Sequence, residues 1–148
     1  QNFIRRIMIR PILDQAWSKK FYEWLQPRAE IETEEYTTIG FLDDWDNIVG
    51  VILFCNYDGN NIYVHIASDS PKHVQRKFIK LMFDYIFNQA KCQRVTATCY
   101  ADKKRSQKLI EGVGFKKEGY LKNFVKKHDK LKDIILYGMQ KEDCKWVA

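Results

Sequence analysis

The sequence predicts an α/β (α+β) fold: a mixed, mainly antiparallel sheet of six to seven strands with helices on both faces. Three observations carry that expectation. The first half reads as short extended segments joined by turns. The centre alternates strand, helix, strand, helix. The 148 residues, 45% of them apolar, suffice for one domain with its own core, residues 1–148.

The elements follow in order. Ile7, Ile9 and Pro11, with Met8 and Ile12, form a first short strand. Asp14 is placed to cap a helix whose apolar residues Trp17, Phe21, Trp24 and Leu25 have the i, i+4, i+7, i+8 spacing of an amphipathic stripe. Pro27 is expected to stop it. Segment 37–42 is a second strand. Segment 48–57 is a third, and its run from Val49 to Phe54 implies burial on both faces. Asp58, Gly59, Asn60 and Asn61 suit a hairpin turn that leads into strand 62–67. Residues 72–89 form the longest helix, with Val74, Phe78, Leu81, Met82, Tyr85 and Ile86 on its buried stripe. Segment 94–100 alternates, with Val95, Ala97 and Cys99 on one face. Asp102 is read as the cap of a helix ending at Gly112 or Gly114. Two last strands lie near 115–123 and 133–140, with Lys130 in the loop between them.

Composition narrows the function. No run approaches the roughly 20 apolar residues of a membrane-spanning helix. The first residues lack a signal-peptide apolar stretch, and the missing initial Met is read as trimming. A cytoplasmic protein is expected. Cys55, Cys92, Cys99 and Cys144 have no Cys-x-x-Cys spacing, so no metal site is expected and the thiols are taken as reduced. The net charge of +6 is uneven. Residues 1–100 carry 12 basic and 12 acidic residues, whereas residues 101–148 carry 13 and 7. Near the other end, Glu30, Glu32, Glu34, Glu35, Asp43, Asp44 and Asp46 have no basic residue among them.

One stretch is more specific than the pattern. It runs from Arg94-Val-Thr-Ala-Thr-Cys-Tyr through Lys103-Lys-Arg-Ser106 to Gly112-Val-Gly-Phe115. It resembles the fifth strand, the following helix and the Gly-Phe opening of the sixth strand in the GNAT superfamily of acetyl-coenzyme-A-dependent N-acetyltransferases. Within that superfamily the chain is similar to the branch that acetylates the N-termini of ribosomal and other proteins, and to GNAT proteins of tailed phages. The phage likeness rests on His65-Ile66-Ala67, on 83–89 and on Cys144-Lys145-Trp146. The resemblance spans about residues 5–146. It implies a bacterial and cytoplasmic setting, with a phage or prophage gene as its source.

The resemblance also implies a chemistry and a set of site residues. Two central strands splay, and the freed backbone of Ile66, Ala67 and Ser68 pairs with the pantetheine arm of acetyl-CoA. The pyrophosphate then lies at the next turn and helix start, at Lys72, His73, Val74, Gln75, Arg76 and Lys77. The glycines usual in that turn are absent here, and charge takes their place. Lys103 stands where an Asn is usual, and Ser106 bonds the pantetheine arm. The family's Tyr acid position holds Ile110, so Tyr100 is the substitute candidate for acid. His65 is the candidate base, because an imidazole titrates near working pH. It shares a strand face with Tyr63 and Ala67, opposite Ile62, Val64 and Ile66. Tyr63 is next in line.

The implied reaction is direct attack of a primary amine on acetyl-CoA through a tetrahedral intermediate, without a covalent enzyme adduct. The amine belongs to a small molecule, a protein N-terminus or a lysine. The acids of 30–46, Glu34 and Glu35 foremost, fall on the acceptor side and favour a cation. The alternative is a catalytically weak module of the same fold whose basic half holds nucleic acid or a protein. Nucleic acid is not the expected partner, because strand alternation accounts for Phe115, Tyr120 and Phe124. A monomer or homodimer is expected.

Overall fold

The computed structural model describes residues 8–70 and 75–147. The chain divides into two compact units, Gln1–Cys55 with His65–Phe78 and Asn56–Val64 with Ile79–Ala148. The expected element order is present, with changed boundaries.

In the first unit a short strand β1 (Arg10–Ile12) pairs antiparallel with β2 (Tyr36–Leu42), which pairs antiparallel with β3 (Ile48–Cys55). Pro11 is tolerated because β1 is the edge strand and needs no second ladder bond. β1 ends at Ile12, opposite Gly40. Beyond it the Gln15 side chain continues the pairing. Its Nε2 donates to Thr38 O at 3.0 Å, and its Oε1 accepts from Thr38 N at 3.2 Å. Residues 49–55 are buried throughout β3, as the unbroken apolar run implies.

Asp14 does cap, but it caps a 3₁₀ turn, Gln15–Trp17, by accepting from Ala16 N at 2.9 Å. Helix α1 (Ser18–Ala29) follows. It does not stop at Pro27. Proline forfeits only its own N–H bond, and the last turn closes through Glu30 N to Gln26 O at 2.8 Å. The Arg28 guanidinium also donates to Trp24 O at 2.6 Å. The helix ends on Glu30 in the left-handed conformation, φ 55°. Phe21 and Leu25 are fully buried, and the Phe21 ring lies directly over Gly40. The neighbouring Phe41 points to the other face and meets Phe78 at 4.3 Å between centroids. Helical side chains therefore pack on both faces of β2.

Strand β4 (Asn61–Ser68) follows a turn in which Asp58 Oδ1 accepts from Asn60 N and Asn61 N, with Gly59 at φ 90°. Helix α2 (Arg76–Asp84) continues into a π-helical turn, Tyr85–Gln89. The expected start of that helix at 72 lies outside the described residues. In the second unit, the first residues of β4 run parallel to β5 (Arg94–Tyr100), and β5 pairs antiparallel with β7 (Lys130–Gln140). β7 pairs with β6 (Lys116–Lys127). The seven-stranded order is β1-β2-β3-β4-β5-β7-β6.

Helix α3 (Lys104–Val113) ends at Gly114, φ 120°. Asp102 is not its cap. Lys103 holds that position without a side-chain bond, and Asp102 instead pairs with Lys132 Nζ at 2.8 Å. The last two strands are longer than periodicity suggests, and Lys130 is in β7 rather than in a loop. His128 and Asp129 form the tip at φ 49° and 60°, the two positive values that a tight hairpin turn requires. Arg94 on β5 holds both Glu118 oxygens, at 2.6 and 3.0 Å, across β7. Gly138 allows it, because a Cβ there would meet Glu118 at 2.4 Å. The core of this unit gathers Phe87, Phe115 and Trp146 around Phe83.

Candidate active site

β4 carries the candidate base His65, Tyr63 and the candidate backbone residues Ile66, Ala67 and Ser68. Its parallel ladder with β5 has three residue pairs, Asn61↔Arg94, Ile62↔Val95 and Tyr63↔Thr96, while the strand itself continues to Ser68. On the other edge, Asp69 N donates to Val49 O at 3.1 Å. Ala67 O lies 3.4 Å from the place a Gly50 Cβ would take. Residues 67 and 69 thus turn their backbone groups toward β3. Alternation directs the N–H and C=O of Ile66 and Ser68 to the opposite edge. Backbone donors left on a strand edge are what an extended ligand pairs with.

The side chains of β4 alternate only as far as Val64: Ile62 and Val64 are buried, whereas Tyr63, His65, Ala67 and also Ile66, expected on the buried face, keep some exposed surface. Burial pushes the His65 imidazole down to about 4, away from the working pH on which its choice as base rests, so the ring is neutral at physiological pH. His65 makes no hydrogen bond to another described residue. The Ser68 hydroxyl donates to Ser70 O at 3.0 Å.

Just past β4, Asp69 accepts from Arg28 Nε at 3.3 Å. The Arg28 guanidinium lies 3.7 Å over the Trp24 ring. This contact is not legible in a sequence where the two residues stand 41 apart. Lys72, His73 and Val74 lie outside the described residues. Gln75 is half-buried, and its carbonyl accepts from Phe78 N at 2.9 Å. Arg76 and Lys77 are exposed at the start of α2.

His65, Ile66, Ala67, Ser68, Gln75, Arg76, Lys77, Glu34 and Glu35 belong to the first unit, and Tyr63, Tyr100, Lys103 and Ser106 to the second. Tyr100 is half-buried at the end of β5. Ser106 is half-buried in the first turn of α3 and Lys103 is exposed. The turn between them is tied by Gln107, a residue the sequence reading passed over. It is buried, and its Nε2 donates to Ala101 O at 2.8 Å. A polar residue on the inner stripe of a helix was the available signal. Burial raises the Cys99 thiol above its ordinary range, which suits a packed residue rather than a nucleophile.

The acidic stretch separates into two groups. Arg10 pairs with Asp46 and donates to Asp43 O at 2.9 Å, so a basic residue distant in sequence does offset these acids. Asp43 Oδ1 accepts from Trp45 N at 2.8 Å and Asn47 N at 2.9 Å, and those bonds hold its carboxyl below the usual range. These acids build a turn. The other group is different. Glu32 and Glu34, joined by Glu23, line an open depression of about 660 Å³ with Tyr22, Gln26 and Thr33. Tyr22 forms a wall, stacked on Tyr36 at 4.7 Å, and its hydroxyl accepts from Thr33 N at 3.2 Å. Glu35 is exposed but outside the depression. Carboxylates around an aromatic wall suit a cation. Among the described residues no group of three or more His, Cys, Asp or Glu is placed to hold a metal ion. No helix among the described residues is long and apolar enough to cross a membrane.

Comparison with known proteins bears on the same region. Residues 6–116 match the family model described as an acetyltransferase (GNAT) domain. Two proteins of Bacillus subtilis (strain 168) are similar. One is named the SPbeta prophage-derived uncharacterized N-acetyltransferase YokL, 28% identical over 82% of this chain and 70% of its own length. The other is named the uncharacterized N-acetyltransferase YnaD, 24% identical over 69% of this chain and 62% of its own length. In fold, the chain resembles a ribosomal-protein-S5-alanine acetyltransferase from Vibrio fischeri, TM-score 0.70 at 16% identity over 97% and 98% of the two chains. It also resembles the spermidine N-acetyltransferase SpeG from Vibrio cholerae, in an N152L mutant form, TM-score 0.70 at 14% identity over 92% and 94%.

Proposed function

The chain belongs to the GNAT acetyltransferase family, and from that membership we propose that it moves acetyl from acetyl-CoA to a cationic primary amine. One observation carries the reading. The ladder of β4 with β5 stops at Tyr63 while the N–H groups of Ile66 and Ser68 continue along that edge. Acetyl-CoA supplies the activated acetyl group, and its pantetheine amides are the chemistry such an edge pairs with. The residues fit it. Ile66, Ala67 and Ser68 form the edge, and Arg76 and Lys77 bring positive charge to the start of α2 for the phosphates. Lys72, His73, Val74 and Gln75 are assigned to the phosphates with them, and Lys103 and Ser106, at the start of α3, to the cofactor as well.

The chain's own groups divide the remaining work. N–H groups directed at the carbonyl oxygen stabilise the negative charge that grows there. His65, neutral and with one unprotonated ring nitrogen, accepts the amine proton directly or through one water. Its depressed pKa makes it a carrier that hands the proton on rather than storing it. Tyr100 is the donor to the leaving thiolate, with Tyr63 beside His65 as the alternate. The depression at Glu23, Glu32 and Glu34 holds the ammonium before transfer, a polyamine or a protein N-terminus or lysine. The likeness to a prophage-derived relative supports a phage or prophage gene acting in a bacterial cytoplasm, as a monomer or homodimer.

The test joins two measurements. Acetyl-CoA should raise the thermal midpoint, because a ligand of the native state stabilises it. Acetyl transfer should be detected in a screen of polyamines, N-terminal peptides and lysine peptides. No midpoint shift together with no transfer to any amine defeats the proposal.

A further inference from the structure

The β6–β7 hairpin leaves uncovered a surface that the reaction does not use. Residues 116–133 carry seven lysines against Glu118, Asp129 and Asp133; Glu118 is engaged by Arg94 and Lys132 by Asp102. Strand alternation is the expected account of Phe115, Tyr120 and Phe124. Only Phe115 is packed, at 6% exposed. Tyr120 is 58% exposed, Phe124 64% and Leu131 57%. The register explains where they lie. Tyr120 pairs with Ile135 and Lys126 with Leu131, and paired residues share a face. Ile135 and Tyr137 on that face are buried, and the Tyr137 hydroxyl donates to Glu111 of α3 at 2.8 Å. Farther out, the same face passes beyond α3 and stays open.

The open part is braced. The register slips between Leu121 and Val125, where Asn123 takes φ 52°. Asp133 accepts from Asn123 N at 2.7 Å and also from the Tyr120 hydroxyl. One carboxylate therefore fixes both the bulge and the first ring. Lysines alone are the ordinary guard of an edge strand. Such a guard gives no reason to hold two aromatic rings in water.

We propose that this hairpin face is a docking surface for single-stranded nucleic acid. The occupant follows from complementarity. A single strand alternates phosphates with flat apolar bases, and the face sets Lys122 and Lys126, two residues from Tyr120 and Phe124 along the strand, beside those rings, while Lys127, Lys130 and Lys132 belong to the opposite face. An acidic protein segment would match the lysines and leave the rings unused. None of these residues is assigned to the transfer, so the proposal does not rest on the acetyl-transfer reading.

The test uses the full chain and a fluorescein-labelled 20-nucleotide mixed-sequence strand, as DNA and as RNA, read by anisotropy at 50 and 200 mM KCl. Binding should weaken steeply between the two salts. Phe124→Ala should weaken it about fivefold or more at both salts. Lys122→Glu with Lys126→Glu should weaken it mainly at 50 mM and lower the log–log salt slope by about 1.4. Phe124→Lys separates charge from stacking: it adds a cation, yet binding should fall. Phe124→Tyr should bind as the wild type does, and it replaces the alanine variant if that one fails to fold. All variants should keep the acetyl-CoA midpoint shift. No wild-type binding at 50 mM overturns the proposal. Tighter binding by Phe124→Lys, or displacement by poly-glutamate as effective as by unlabelled strand, overturns it in favour of a general polyanion or acidic protein.

Discussion

Lowering the pH from 7.5 to 5.0 should destabilise this protein through one side chain, His65. Its imidazole titrates near 6.5 in an unfolded chain and at about 4 in the folded one. At pH 7.5 both states leave it neutral, and it contributes nothing to the pH dependence. As pH falls through 6.5 the unfolded state takes up a proton that the folded state refuses, so stability is lost on acidification. At pH 5.0 the two values give a loss of about 2 kcal/mol, rising to about 3 kcal/mol below pH 4. The carboxylates held low, Asp43, Asp58, Asp102, Glu118 and Asp133, lose their contribution only as pH falls below their ordinary range. Among the described residues, the interval from 7.5 to 5.0 therefore isolates the imidazole. Urea unfolding is the assay. With a slope of about 2 kcal/mol per molar, the wild-type midpoint should fall by about 1 M. His65→Gln, whatever its stability at pH 7.5, should show a much smaller fall. Equal falls in both proteins, or a flat wild type, would refute the assignment of His65 as a neutral enclosed imidazole.

Three further outcomes are expected. Gly40→Ala drives a methyl into the Phe21 ring, 2.1 Å from the nearest atom, and should cost about 3 kcal/mol in thermal or urea unfolding, with Phe21→Leu recovering part of it. Arg76→Ala with Lys77→Ala should raise the acetyl-CoA KM more at low salt than at high salt, because exposed charges are screened; equal increases would displace the phosphates from the start of α2. Glu34→Lys should raise the acceptor KM and leave that of acetyl-CoA unchanged, whereas Glu35→Lys, outside the depression, should do little; steady-state kinetics with both substrates varied separates these.

Periodicity made most of the fold legible, because burial on one face leaves a regular trace. The stripe of Phe21 and Leu25, the buried run of β3 and the Asp58 turn are all local signals. The errors have more than one physical root, long-range pairing among them. Asp102 looked like a cap, but Lys132 claims it from 30 residues away. Pro27 looked like a stop, but a helix can lose one bond in its last turn. Lys130 looked like loop, although an edge hairpin with both strands half in water admits lysines anywhere. Of the candidate site, β4 and the alternation of His65 were legible. The edge toward which Ile66 and Ser68 direct their N–H groups was not, since it depends on where β3 lies. The division of the acids was hidden for a similar reason, because Arg10 and Glu23 join them only in three dimensions.

Gln15 completes β2 in a way no strand residue does. A carboxamide presents the peptide's own carbonyl and N–H, with a second N–H to spare. Set against Thr38, it acts as a splint one residue long where β1 has run out. The requirement is chemical as well as geometric. Glutamate has the same length but presents a second acceptor to the Thr38 and Leu13 carbonyls, which the amide nitrogen meets at 3.0 and 2.6 Å. Asparagine has the right group on too short an arm. The identity of that one side chain therefore stands in for length that the edge strand does not have.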